Sequence, residues 1–291
     1  MAEVLLLGAK GRLGAALARE WARTGHAVRA LARPEVDVAD ADSLARALDA
    51  GPWTVVANCT GITSLEACED DPALARKVNH EAPGYMARAA AARGAICLHF
   101  STDYVFDGSG TRPLVESDDV RPLSVYGRTK YDGELAVLEA SARNLVFRVS
   151  WVFGPDKPSF VDAILARARE SDRVEAIADK YSCPTHTLDA AGWIEPFLGG
   201  GLPGGIYHAC NAGACSWREL GQEALRIAAG LGWPLAATDV EPIRLADMRA
   251  FRAARPVFTP MDCGRLAAAT GMRPRPWQEA LADYIGSVPG G

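Results

Sequence analysis

Ala95-Ile96-Cys97-Leu98-His99-Phe100-Ser101-Thr102-Asp103 is an apolar run that turns polar over its last three residues. Such a run reads as a buried strand of a parallel sheet, and open α/β sheets bind ligands beyond the carboxyl ends of their strands. Ser101, Thr102 and Asp103 therefore fall where a site belongs. After a polar, Pro-bearing loop, Ser124 to Glu139 has helical spacing, and Tyr126-Gly127-Arg128-Thr129-Lys130 puts Tyr126 and Lys130 at i and i+4 on one face. A tyrosine beside a lysine, converging on a strand end, reads as a proton donor. A free phenol titrates near 10, and an ammonium about 4 Å away at an effective dielectric of about 20 contributes about 4 kcal/mol, enough to bring it toward 7.

Upstream, Val4 to Leu7 is a short apolar strand, followed by Gly8-Ala9-Lys10-Gly11-Arg12-Leu13-Gly14 and an Ala/Leu-rich helix that stops at Gly25. Strand, glycine loop and helix in that order make a dinucleotide cradle: the glycines let the backbone approach a pyrophosphate, whose charge meets the free N–H groups at the helix start. The spacing is Gly-x-x-Gly-x-x-Gly. The second strand, Ala27 to Ala32, ends at Arg33, where an acidic residue would bind the ribose hydroxyls of NAD. Arg33, Lys10 and Arg12 instead place three cations around that ribose, which suits the extra phosphate of NADP. NADPH is the expected cofactor, with NADH as the alternative, and Asp37 and Val38 complete the adenosine side.

Trp53 to Cys59 is the next strand, with Cys59, Thr60 and Gly61 expected on the nicotinamide side. Pro72 to Arg93 reads as helix carrying Asn79 and interrupted near Pro83. Asn144 to Val149 is another apolar strand, ending in Ser150-Trp151-Val152-Phe153-Gly154, where Trp151 would face substrate. The alternation implies an α/β fold with a Rossmann-like doubly wound parallel sheet.

Composition narrows the classes. With 291 residues, 49% of them hydrophobic, the chain can build about two domains. A net charge of -5 without a long basic run argues against nucleic acid. No charged leader and no apolar run of about 18 residues appears, so a cytoplasmic protein without a membrane partner is expected. The seven cysteines are odd in number and lack a Cys-x-x-Cys pair, so neither a disulfide framework nor a metal site is expected.

Together, the glycine triplet, Asn79, Ser101 to Gly108, Val125 to Lys130 and Arg148 to Gly154 resemble the dTDP-4-dehydrorhamnose reductase family of extended short-chain dehydrogenases. In the second half, Asp179-Lys180-Tyr181-Ser182-Cys183-Pro184-Thr185 is similar to the family's Asp-Gln-x-Gly-x-Pro-Thr, and Ser216-Trp217 and Arg255 to Ile285 to its C-terminal part. The resemblance implies NADPH-dependent reduction of the C4 ketone of a nucleotide-linked 4-keto-6-deoxy sugar. It gives Tyr126 the role of acid, Thr102 a bond to the reacting oxygen, and Lys130 that of tuning Tyr126 and holding the nicotinamide ribose. Ser101 and Asn79 join the cofactor site, while Thr63, Asp103, Tyr104 and Trp151 match the sugar pocket. Lys180 and Ser182 depart from the pattern, and Lys180 can either pair with a diphosphate or point to solvent. Ala16 stands where some bacterial members carry a glutamate for Mg²⁺ at a dimer interface, so no metal is carried over, while a homodimer stays open.

The expected division is 1–154 as the NADP-binding domain with 188–210 returning to it, and 155–187 with 211–291 as a smaller C-terminal α/β substrate domain. The terminal Val288-Pro289-Gly290-Gly291 reads as frayed. Two alternatives remain: another sugar-nucleotide epimerase or reductase of the extended short-chain class, and an NADP-binding regulatory subunit similar to that of methionine adenosyltransferase. Tyr104, where dehydratases of the superfamily carry Glu, favours the reductase.

Overall fold

A computed structural model describes residues 1–288. The chain begins with β1 (Glu3–Leu7), α1 (Arg12–Arg23), β2 (Ala27–Leu31), α2 (Ala41–Asp49) and β3 (Val55–Asn58). Helices α3 (Leu65–Asp70), α4 (Pro72–Arg76) and α5 (Ala82–Ala92) lead to β4 (Ile96–Thr102), α6 (Val125–Ala140) and β5 (Leu145–Val149). Next come β6 (Val152–Phe153), α7 (Phe160–Glu170), β7 (Val174–Ile177), β8 (Tyr181–Ser182), β9 (Thr185–His186) and α8 (Thr187–Ile194). The chain continues with β10 (Gly205–His208), β11 (Cys215–Ser216), α9 (Trp217–Gly230), β12 (Val240–Ile243), α10 (Gly264–Thr270) and α11 (Trp277–Ser287).

Six strands form one parallel sheet in the order β10-β5-β4-β3-β1-β2. Alternation within single strands explains why both faces are covered. Val4 and Leu6 of β1, Val55 and Ala57 of β3, and Leu145 and Phe147 of β5 enter one core, closed by α1 and α8 through Leu17, Ala190 and Ile194. Leu5, Leu7, Val56 and Val146 enter the opposite core, closed by α2, α5 and α6 through Leu44, Met86 and Val137. The strand order reverses between β1 and β3, which opens a crevice at their carboxyl ends.

The helical stretch from Pro72 to Ala92 changes pitch at Lys77–Glu81, which is a π-helical turn. Pro83 accounts for it, because it has no N–H to give the carbonyl of Asn79 and its ring crowds that carbonyl. A third core joins α7, α9 and α11 through Leu165, Leu220, Ala224 and Leu281. Beside it lie the parallel pair β7/β12, the antiparallel pair β8/β11 and the parallel pair β6/β9. Helix α10 packs on the large sheet, with Leu266 in the first core. Val288 gives its N–H to Ile285 O and packs on the third core; Pro289 to Gly291 lie outside the described residues. Among the described residues no helix is long and apolar enough to cross a membrane.

Candidate active site

The turn after β1 is forced close to β3. Gly8 has φ +95°, and a Cβ there would lie 2.8 Å from the carbonyl carbon of Cys59. At Gly14 a Cβ would lie 2.3 Å from Gly8 O, so only glycine lets α1 start against the turn. No side chain caps the α1 N-terminus and no acidic residue sits in its first turn, which leaves its positive end for an anion. A cavity of ≈ 630 Å³ opens over this cradle, lined among others by Lys10, Arg33, Asp37, Val38 and Thr60.

The cations divide differently from the sequence expectation. Lys10 Nζ donates to Arg33 O at 3.0 Å, and both residues line that cavity. Arg12 turns the other way, donating to Lys157 O (2.9 Å), Val152 O (3.1 Å) and Pro158 O. One carbonyl of β6 and two of the loop before α7 match the fork of its guanidinium, so Arg12 ties the cradle to that loop instead of joining Arg33. Lys157, which the sequence did not single out, lines the cavity with Lys10 and Arg33.

A second cavity of ≈ 480 Å³ shares Gly11, Cys59, Thr60, Gly61 and Lys157 with the first, so the two form one cleft. Its walls bring together Thr102 from the end of β4, Tyr126 and Lys130 from α6, and Trp151 after β5. Leu13, Thr63, Ser101 and Asp103 line it as well, and Ser101 Oγ is buried without a hydrogen-bond partner. Ser124 caps α6 by accepting from Gly127 N at 3.2 Å, which sets the helix start just before Tyr126.

The electrostatics correct the idea of a tyrosine pulled toward neutrality by its lysine. Burial pushes the Tyr126 phenol up, and the Thr102 hydroxyl only partly offsets it. Lys130 Nζ donates to Phe100 O and lies 3.3 Å from His99 Nε2, while burial brings its pKa down to about 8. Desolvation is the largest cause of both shifts, because both groups are buried. Tyr126 is thus a protonated phenol at neutral pH.

Other expected residues occupy supporting places. Asp103 accepts from Thr102 Oγ1 (3.2 Å), Ser182 Oγ (2.9 Å) and Thr259 Oγ1 (2.5 Å), which commits its carboxylate to joining the two halves. Asn79 accepts from Ile62 N at 2.9 Å and donates to Ile62 O at 3.1 Å, so it fixes the loop after Gly61 from behind. Tyr104 is buried, edge-on to Tyr126 with ring centroids 5.8 Å apart. Lys180 neither faces solvent nor stands free for a diphosphate: it is fully buried, donates to Pro256 O at 2.7 Å and lies 4.8 Å from the Tyr104 ring centroid. Trp151 has φ +42°, rare for a bulky residue, and packs edge-on to Trp217 at 5.6 Å. Trp151, Phe160 and Trp217 line a side pocket of ≈ 230 Å³ that the sequence did not mark, since Phe160 and Trp217 lie on separate helices.

Residues 1–289 match the family described as the RmlD substrate binding domain. This chain belongs to that family. A dTDP-4-dehydrorhamnose reductase of Streptomyces griseus is 36% identical over 296 residues, covering 98% of this chain and 94% of the relative. Among solved structures, a dTDP-4-dehydrorhamnose reductase from Clostridium acetobutylicum superposes with TM-score 0.89 at 28% identity, covering 97% of this chain and 98% of the other. One from Bacillus anthracis in complex with NADP shares the fold at TM-score 0.91 and 24% identity, covering 99% and 100%. Membership of the RmlD family agrees with the cleft built above, from glycine cradle to Tyr126.

Proposed function

We propose that this chain reduces the C4 ketone of a nucleotide-linked 4-keto-6-deoxy sugar with NADPH, taking dTDP-4-dehydro-L-rhamnose to dTDP-L-rhamnose. The reading is carried by one arrangement: Thr102, Tyr126 and Lys130 line the cleft that begins at the glycine cradle. Nearly full-length similarity to dTDP-4-dehydrorhamnose reductases supports the substrate class. The cradle fits a dinucleotide, since a Cβ at Gly8 or Gly14 would collide with backbone and the α1 N-terminus has no side-chain cap. Gly8 to Gly14 would hold the pyrophosphate, Lys10, Arg33 and Lys157 the ribose phosphate, and Asp37 and Val38 the adenosine.

When bound, NADPH supplies the hydride. Tyr126, kept protonated by burial, would donate its proton to the oxygen on which charge develops. Thr102 would turn its hydroxyl from Asp103 to that same oxygen, and Lys130 would bind the nicotinamide ribose. Trp151, with Phe160 and Trp217 behind it, would give the sugar nucleotide an apolar wall. Residues 1–154 with 188–210 would serve the cofactor, and 155–187 with 211–291 the substrate, α10 packing back on the sheet.

The test is NADPH oxidation with a panel of nucleotide-linked 4-keto sugars differing in base and ring stereochemistry. Turnover of dTDP-4-dehydro-L-rhamnose is expected. Turnover of another member alone would move the substrate within the class; none, with NADPH bound, would discard the reductase reading.

A further inference from the structure

His99 lies behind the cleft, fully buried between Asn58 and Lys130, and no step above uses it. Its protonation can be deduced from hydrogen-bond polarity. Thr60 gives its backbone N–H to Asn58 Oδ1 at 3.0 Å and its hydroxyl to the same oxygen at 2.6 Å. A backbone N–H can only donate, so the Asn58 amide is fixed with its oxygen toward Thr60. The Asn58 Nδ2 group, 3.1 Å from His99 Nδ1, must then donate, and Nδ1 must accept. Burial holds the ring neutral, with its pKa well below the ordinary histidine range. A neutral ring that accepts at Nδ1 carries its proton on Nε2.

That proton points at Lys130 Nζ, 3.3 Å away. An ammonium has no lone pair to receive it, whereas an amine accepts from Nε2–H and still donates to Phe100 O. We propose that His99, fixed by Asn58, is a positioning residue for Lys130: its Nε2–H biases Lys130 toward the free amine in the resting protein, and Lys130 leaves it for the cleft as the ammonium. Release follows when ribose hydroxyls and the developing Tyr126 phenolate offer acceptors that an ammonium satisfies better, the amine taking up one proton from solvent through the open cleft. The role in turnover rests on the reductase reading; the resting protonation state does not.

The other titratable groups around Lys130 are Glu134 one turn on, Cys59 after β3, Cys68 on α3 and Tyr126 on its own helix. Glu134 is already in a bidentate pair with Arg148 at 2.9 and 2.6 Å, and burial keeps the Cys59 and Cys68 thiols and the Tyr126 phenol protonated. Among the described residues none of these is hydrogen-bonded to Lys130 Nζ, whereas His99 Nε2 lies 3.3 Å from it.

The decisive measurements are NMR titrations of ¹⁵N-histidine- and ¹³C-lysine-labelled protein, with His99→Gln and Lys130→Arg identifying the two signals. The His99 resonances should show a protonated Nε2 and a bare Nδ1 from pH 6 to 8.5. In His99→Gln the amide oxygen can accept from an ammonium, so the Lys130 midpoint should rise by about one pH unit. The alkaline limb of the kcat/KM profile should rise with it, since that ratio reports the free enzyme. A protonated Nδ1, an imidazolium at pH 7, or a Lys130 midpoint unmoved in His99→Gln would each overturn the proposal. If no 4-keto sugar turns over, the reductase reading fails while the two titrations still decide the role of His99.

Discussion

In the proposed reaction Tyr126 would serve as the acid because it is buried beside Thr102 without being ionised. Its hydroxyl matters only where charge develops, so Tyr126→Phe should lower kcat by about 10²- to 10⁴-fold and leave the Kd for NADPH within a few-fold. Stopped-flow turnover and fluorescence titration measure the two, and near-normal turnover would remove Tyr126 from the chemistry. Arg33, exposed at the cavity rim, should read only the ribose phosphate. Arg33→Ala is expected to weaken NADPH by roughly 10- to 100-fold and NADH by much less, as loss of one charge-assisted contact implies; equal losses would refute that assignment. Both residues were legible because strand ends and i, i+4 spacing are local features of a sequence. Arg12 and Lys180 were not, since each meets carbonyls more than 70 residues away in sequence. The Lys130–His99 contact was hidden for the same reason: a helix position and a strand position meet only once the layers pack.

Helix α6 is the element that holds this geometry. Its spacing could be read directly, and the polar cap Ser124 begins it where the sequence places it. The π turn at Lys77–Glu81 could be located only roughly, because Pro83 announces a disturbance and tertiary packing decides its form. A Cβ at Gly133, on α6, would lie 2.2 Å from Asn79 O in that turn, so the helix and the turn touch through backbone. Gly133→Ala should therefore cost about 1–3 kcal/mol in urea denaturation and lower kcat, since Lys130 sits one turn away on the same helix. A variant of unchanged stability and rate would show that the contact yields freely. On the same face, Glu134 and Arg148 form a fully buried pair that locks α6 to β5. Arg148→Met leaves a buried carboxylate unpaired and should cost about 3–5 kcal/mol, most of it recovered by adding Glu134→Leu. A double variant no better than the single one would mean that Arg148 stabilises through packing on Phe106 instead.

For the whole molecule, the doubly wound half follows from strands that are mostly apolar, and its alternation of strand and helix was legible. The second half was less so, because β7 and β12 are four residues each and pair across a long stretch of chain, including all of α9. The same burial that hides these pairings sets how stability responds to pH. His99 and His208 stay neutral in the folded state, His208 down to about 3, whereas an unfolded histidine takes up a proton near 6.5. The unfolded chain thus binds more protons below pH 6.5, and stability falls as the solution is acidified. Lys130 and Lys180 titrate near 8 when folded and near 10.5 when unfolded, so between those values the unfolded chain again holds more protons and stability rises with pH. Thiols act in the opposite sense. Cys97 is raised to about 12 and Cys68 to about 11, and Cys59 and Cys215 are raised further, so above pH 9 the unfolded chain loses thiol protons that the folded chain keeps. Four such thiols outweigh two lysines once both sets titrate. Under reducing conditions the urea midpoint should climb from pH 5 to a maximum between pH 8 and 9, where a rise of about 2 kcal/mol from the two lysines is largely cancelled by the thiols, and then decline. Lys180→Met should move that maximum to lower pH while leaving the acid limb in place. A midpoint that falls steadily from pH 7 to 9 would mean that these lysines are not held uncharged inside the fold.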